Sequence, residues 1–382
     1  MHDAAQAPAT DGDRPGDGRV GPALAVDERV SETCTIDDIV PSALRRSWLL
    51  GAIALVIGAS LLGLMIGPVT IAPHRVILEL LDHIPGVHIH SGLDTLEADI
   101  VWQVRAPRVA LGLLVGAMLA TAGGAYQGAF RNPLADPYLL GAAAGAGLGA
   151  TIAISSGVHA GTGGSPVLPL AAFVGALLAV TLSYGVGAAS GGERGPASLI
   201  LAGVAVASFL TALQTYLQQR NAATIREVYS WILGQLAGAT WRDVALLLPY
   251  VALTTAVLLA TRRSLDVLTV GDAEATTLGM NPQRVRLVVV IAASLGTAAA
   301  VSVSGLIAFV GIIVPHTVRL LTNHSYRVVL PLSFLGGAAF LVLTDLVAHT
   351  VMQPAEIPIG VVTAFLGAPF FLIVLRTSRA DR

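Results

Sequence analysis

The sequence predicts an all-α, polytopic membrane protein of about ten transmembrane helices, and three observations carry that prediction. Hydrophobic residues make up 54% of the 382-residue chain and charged residues only 12%, about half of the ~25% charge usual in a soluble domain. Mean hydropathy is +0.74. Apolar stretches reach ~20 residues, enough for a helix to cross a ~30 Å hydrocarbon core, and they lack the strict alternation of a membrane β-barrel.

Residues 1–45 are rich in Asp, Gly, Pro and Ala and lack a basic segment followed by an apolar run and a cleavage site. They read as a disordered cytoplasmic tail rather than a signal peptide. The membrane domain covers 46–376, and 377–382 form a second short tail. Spans are expected at Trp48–Ile66, Pro107–Phe130, Tyr138–Ser156, Leu168–Ala188, Ala197–Leu217, Val244–Arg262, Val285–Ser304, Leu306–Leu321, Val328–Val351 and Ile357–Arg376. An even number places both termini on one side. With that side inside the cell, 13 arginines fall on inner loops and helix ends and only Arg75, Arg105, Arg108, Arg220, Arg226 and Arg242 fall outside. The positive-inside bias therefore puts both termini in the cytoplasm.

Small residues recur every four positions at Gly112, Gly116 and Ala120, and at Gly141, Gly145 and Gly149, the spacing that lets helix backbones approach closely in lipid. Gly305 and Pro315 are expected to break the helical ladder, as interruptions beside transport routes do. The polar stretch 72–106, between the first two spans, contains His83, His88 and His90. No two of these lie three or four apart, so an ordinary polar loop outside the membrane is favoured over a metal site. His316 likewise has no second ligand on its helix face.

The composition excludes several functions. All 22 residues counted as Lys+Arg are arginine. That rules out a Walker A loop, which needs its lysine on the phosphates, and a Schiff-base lysine. The single cysteine, Cys34, excludes an internal disulfide and a thiolate metal cluster. No HExxH or GxSxG motif offers a catalytic centre. The net charge of -2 says little about partners, and no nucleic acid is expected among them. No cofactor or metal is expected on this chain. If nucleotide drives the protein, another chain binds it.

Two connections are too patterned to be simple linkers. The first, Gln127–Gly141, contains Asn132-Pro133 and Asp136-Pro137; Asn132 and Asp136 are suited to capping helix ends. The second, Ser264–Gly279, contains Asp272-Ala-Glu-Ala-Thr-Thr-Leu. It reads as a short amphipathic helix stopped by Gly279 and Pro282, with Leu278 as an apolar anchor for a groove on another protein.

With these segments in hand, the chain resembles the permease family of the iron-siderophore, haem and vitamin B12 ABC importers, the type II ABC importer permeases. The resemblance runs from about Trp48 to Arg376. It rests on Arg105-Ala-Pro-Arg108, Arg131-Asn-Pro-Leu-Ala-Asp-Pro137, Trp231-Ile-Leu-Gly234, Gly271-Asp-Ala-Glu-Ala275 with Leu278-Gly279, Gly305-Leu-Ile-Ala-Phe-Val-Gly311, Pro315-His316 with Arg319, and Glu356-Ile-Pro-Ile-Gly360, in that order. It implies an inner-membrane homodimer that moves a metal chelate, with two ATPase subunits carrying ATP and Mg and a substrate-binding protein outside.

The resemblance also assigns roles to residues. Gly271, Asp272, Glu274, Ala275, Leu278 and Gly279 would form the helix that docks into the ATPase, with Asp272 and Glu274 as rim partners for its basic residues. Arg105 and Arg108 would meet acidic residues of the binding protein, with His349 at a third docking position. The inner gate would lie at about Gly195–Ser198, making Pro196, Ala197 and Ser198 candidates, and Gly305 would border the pathway. An ion- or proton-coupled secondary transporter is the alternative. It would have to work with Asp345, the one carboxylate clearly inside a span, and Glu356 near an end.

Overall fold

The computed structural model describes residues 44–82, 92–158, 166–189 and 196–380, the last eight and Pro196 by backbone alone. The N-terminal tail, Cys34, the three histidines of the first polar stretch and Gly195 lie outside the described residues. The helices are α1 (Arg46–Met65), α2 (Pro73–Asp82), α3 (Thr95–Asp99), α4 (Ala106–Phe130), α5 (Ala142–Ser155), α6 (Val167–Ala189), α7 (Pro196–Arg220), α8 (Ile225–Ile232), α9 (Trp241–Val270), α10 (Asp272–Thr277), α11 (Pro282–Ser304), α12 (Val310–Leu321), α13 (Tyr326–Thr350) and α14 (Ile359–Ala380). A π-helical turn, Ile100–Arg105, joins α3 to α4.

No strand occurs among the described residues. Among the described residues, seven helices are long and apolar enough to cross a membrane; α5, α12 and the first part of α14 are shorter apolar stretches. The expected ten apolar helices are all present; α5 and α12, of 14 and 12 residues, are shorter than a full span.

The bundle is built around α4, which is buried along nearly its whole length and packs against α13, α11, α9 and α12. In lipid there is little hydrophobic drive between helices, so close packing must hold them together. Small residues supply it. A Cβ on Gly116 would lie 2.2 Å from the Gly337 carbonyl oxygen, and one on Gly145 would lie 2.2 Å from that of Gly175. The glycine stripes thus bring α4 against α13 and α5 against α6, backbone to backbone.

The ends of the bundle are marked by ion pairs. Arg108 in the first turn of α4 meets Asp345 near the end of α13, whereas Gly128 near the end of α4 faces Tyr326 at the start of α13. The two helices are therefore antiparallel. The last carbonyls of α1 lie at the Arg108 end. Glu356, just before α14, is at that end too, and Phe370 further along α14 meets His316 of α12. Consequently α1 begins, and α14 finishes, toward the opposite end, where α10 sits.

Several boundaries differ from the sequence expectation. The stretch before Pro107 is helical back to Thr95, where Asp94 and Glu97 form a reciprocal capping box. Pro107 looked like a helix start because it is favoured there. The upstream turn is instead wide, with the Ala106 N–H donating five residues back to Val101, which relieves the clash of a proline ring with the carbonyl four residues earlier. Likewise α9 continues to Val270, so Ser264–Val270 is helix rather than loop.

The expected break at Pro315 is not there. Pro315 lies within α12, and the chain unwinds earlier, at 305–309, with Gly305 at φ 69° and Phe309 at φ 69°. Pro315 leaves the Gly311 carbonyl without its usual N–H donor, four residues on. The Gln127 side-chain amide donates to that carbonyl at 3.0 Å.

Gly116→Leu should prevent the approach of α4 to α13. Overpacking of this kind costs about 1–3 kcal/mol or more, and the expected result is a clear drop in thermal stability of the detergent-solubilised protein. Gly51→Leu, where a Cβ meets nothing within 4 Å, should leave stability within about 0.5 kcal/mol.

Candidate functional site

The polar chemistry gathers at the two ends of α4. At the end that carries α10, the segment from Gly271 to Asn281 is held by local contacts at several of its residues. Gly271 adopts φ 148°, and a Cβ there would sit 1.9 Å from a carboxylate oxygen of Glu274, which folds back over it. Ala275 is fully buried and ties the helix to the bundle. Gly279, at φ 79°, ends the helix, with the Met280 N–H donating to the Ala275 carbonyl. Asn281 then accepts from the Arg284 N–H and starts α11, with Pro282 in its first turn. This braced segment leaves Leu278 71% exposed.

Asp272 is not the free rim carboxylate expected from the sequence. It accepts from both terminal nitrogens of Arg286, at 2.8 and 2.5 Å, and lies 3.4 Å from Arg131. The hydrogen bond from Arg286 holds its carboxyl below the usual carboxylate range. Arg286 is buried, and a buried guanidinium needs an opposite charge close by. Glu274 keeps an exposed position on α10.

In the α4–α5 connection, Asn132 accepts from the Leu134 N–H at 3.0 Å and Asp136 from the Tyr138 N–H at 2.8 Å. Both residues shape Asx turns rather than cap helices. Pro133 is exposed, and Pro137 packs onto Gly311. Burial pushes the Asp136 carboxyl up to about 6. The turn also aims Tyr138: its hydroxyl donates to the Ile307 carbonyl at 3.0 Å and accepts from the Ile307 N–H at 3.1 Å. A single side chain thus satisfies both backbone groups of a residue in the unwound 305–309 segment, as a non-helical stretch at membrane depth requires.

That segment borders an apolar recess of about 600 Å³ lined by Ile232, Leu233, Leu306, Ala308, Phe365 and Pro369, among others. Gly305, a pathway candidate, lies next to this lining and packs on the Trp231 carbonyl. The gate candidates do not. Pro196, Ala197 and Ser198 form the first turn of α7, where Ser198 and Leu199 lie against Gly187 of α6.

At the other end of α4 the expected docking arginines turn inward. Arg105 is 6% exposed and donates to the carbonyls of Leu64, Met65 and Val69. Those carbonyls end α1 and its following turn, so Arg105 acts as a helix C-cap. Arg108 makes four hydrogen bonds, two to Asp345 at 2.7 and 2.9 Å and two to Glu356 at 2.9 Å. His349 is buried, its Nδ1 3.7 Å from Asp345. None of the three is offered freely to a partner in this conformation: Arg105 and Arg108 answer backbone carbonyls and carboxylates nearby, and His349 is buried. Arg108, Asp345, Glu356 and Gln235 line a second recess of about 240 Å³.

Arg319, beside the Pro315-His316 pair, also turns to the protein rather than outward. It donates to Gln127 at 2.5 Å and to Tyr326. His316 meets Phe370 edge-on at 5.7 Å. Arg286 drew attention only as one arginine in the orientation count, yet it organises the α10 end. The available signal was its position: an arginine one turn inside an apolar span has to find acceptors within the protein.

Comparison with known proteins settles the family, because residues 54–377 match the FecCD transport family. The chain belongs to that family. A cobalamin import system permease protein of Halobacterium salinarum is 45% identical over 277 residues, covering 72% of this chain and 73% of the relative. An iron(3+)-dicitrate transport permease of Escherichia coli is 37% identical, covering 72% and 85%. A solved structure described as an inward-facing conformation of a metal-chelate type ABC transporter superposes with a TM-score of 0.74 at 29% identity, covering 87% of this chain and all of that one. The FecCD chain is thus a multi-pass membrane permease with the type II ABC importer fold.

Two outcomes follow from the clusters. Arg108→Ala leaves Asp345 and Glu356 facing each other without a cation, and should destabilise the protein by about 3 kcal/mol. Adding Asp345→Asn should recover part of that loss in a thermal-melt double-mutant cycle.

Asp136 has a raised folded pKa, so the folded state holds more protons than the unfolded one between the ordinary carboxylate value and about 6. Its charge therefore opposes folding increasingly as pH rises through that window. Asp136→Asn keeps the Asx turn and should raise melting stability at pH 8 by on the order of 1 kcal/mol. The gain should vanish at pH 4.

Proposed function

We infer that this chain is the membrane subunit of an ATP-driven importer of a metal chelate. It works as a homodimer, with two separate ATPase subunits against its cytoplasmic face and a substrate-binding protein outside. Both termini are cytoplasmic, in line with the arginine bias. The observation that carries the reading is α10: a short helix, fixed from behind by the fully buried Ala275, that holds Leu278 out at 71% exposure with Glu274 beside it. An apolar anchor with a charged rim, on the face where arginines concentrate, suits a groove on a partner protein.

No residue of this chain handles ATP, so ATP and Mg belong to the partner. The partner's closure changes the relative stability of inward- and outward-open states, and substrate crosses without covalent chemistry. An iron chelate or a corrinoid is the proposed cargo class, supported by the cobalamin and iron-dicitrate substrates in the names of the relatives. The binding protein is proposed to dock around Arg108. There Arg105 and His349 hold the surface in shape, and acidic groups of the partner compete with Asp345 and Glu356 for the guanidinium. Such a contact weakens as salt rises.

The secondary-transporter alternative needs carboxylates free to load and release an ion. Asp345 and Glu356 are both committed to Arg108, which disfavours it.

Leu278→Asp should abolish co-purification of the ATPase subunits while the folded permease is recovered in normal amount. Retained association would remove the α10 assignment. In liposomes, uptake should require the ATPase and ATP; uptake that instead follows a proton gradient would establish the alternative.

A further inference from the structure

The Arg286 side chain does more than neutralise Asp272. Its three guanidinium nitrogens reach two different elements. Nη1 and Nη2 hold the Asp272 carboxylate of α10, and Nε donates to the Ala129 carbonyl at 2.9 Å. Ala129 lies in the last turn of α4. Its carbonyl would take an N–H from residue 133 if the helix continued, but that residue is Pro133, which has none. Arg286 thus fills a vacancy that the sequence of the α4–α5 connection creates.

The guanidinium is planar and its donors are fixed relative to one another. A displacement of Asp272 along the membrane normal therefore carries Ala129 with it. Arg131, which leaves α4 at φ 50°, approaches the same carboxylate, so α10 grips the end of α4 from two directions. From there α4 runs without a break for 25 residues, about 37 Å at the helical rise. Its first turn contains Arg108, held by four hydrogen bonds to α13 and to the segment before α14. One continuous helix therefore has an arginine–carboxylate clamp at each end.

We propose that Arg286 is a positioning residue that fastens α10 to α4, making α4 the rod through which movement of α10 reaches the Arg108 cluster. This rests on the proposed function, in which the ATPase moves α10. A brace that served folding alone would reduce the amount of working complex and lower transport and ATP hydrolysis together. A mechanical link fails differently: α10 still docks through Leu278 and ATP is still hydrolysed, but less substrate crosses per ATP.

The test is the ratio of substrate transported to ATP hydrolysed, measured for the complete complex in liposomes. Asp272→Asn, Arg286→Lys and Arg286→Gln are compared with wild type. Lysine keeps the charge but is a flexible point charge, without the planar fork that fixes Asp272 relative to Ala129. Hydrolysis and ATPase association should stay within about twofold of wild type, while the transport ratio falls by about tenfold, within the range of allosteric coupling between sites. Asp272→Glu, which preserves the ion pair, should keep the ratio within about twofold.

An unchanged ratio in both Asp272→Asn and Arg286→Lys overturns the proposal. So does failure of Asp272→Asn to fold, since the pair would then be a structural brace. If the Arg286 variants alone fail to fold, Asp272→Asn decides. A wild-type chain that engages no ATPase sinks the proposed function itself, and that result is recognised without any variant.

Discussion

A guanidinium inside an apolar bundle cannot be left to water, and this chain has only arginine for its basic residues. Each buried arginine must therefore bring its acceptors with it. Arg105 takes the carbonyls that end α1, Arg108 takes two carboxylates from distant parts of the sequence, Arg286 takes Asp272 and the end of α4, and Arg319 takes Gln127. The apolar helices supply bulk and close packing, but these polar fastenings decide which helix ends meet. An unpaired charge in such a place costs several kcal/mol, more than most packing rearrangements, so the arrangement of the ends follows from the arginines.

The same constraint governs the backbone. Where the chain unwinds at 305–309, Tyr138 satisfies both polar groups of Ile307; where Pro315 removes a donor, Gln127 replaces it. Both rescuing side chains come from the Gln127–Gly141 stretch. That explains why a connection between two spans is so rich in turn-forming residues: its Asx turns aim Tyr138 and seat Pro137 on Gly311. Leu306 and Ala308 of the unwound segment line the larger recess, so the irregular backbone and the cavity belong to one piece of construction.

Much of the fold was legible because its signal is periodic and local. Apolar length located ten helices, glycine spacing marked the close-packing stripes of α4 and α5 though not their partners, and Gly279 with Pro282 marked the end of α10. What escaped was set by partners far away in the sequence. Arg108 meets Asp345 and Glu356, 237 and 248 residues on, and nothing near any of the three announces the pairing. The roles of Arg105, Arg108 and Asp272 as surface contacts were read from position in a family motif, which says where a residue lies along the chain but not which way its side chain turns. Pro107 misled for the opposite reason: the local rule that places proline at helix starts is sound, and the π turn before it is an exception that local sequence does not show.

The glycine seams carry one more consequence. Helices that touch through carbonyl oxygens and Cα atoms, as α4 does at Gly337 and Gly311, have at those points little side-chain layer between them that could slide or repack. Small sliding motions of packed helices depend on such a layer. The α4, α12 and α13 trio must then turn as a solid block, and α5 with α6 as another. Any opening of a passage falls to the joints between blocks, where the chain is already unwound.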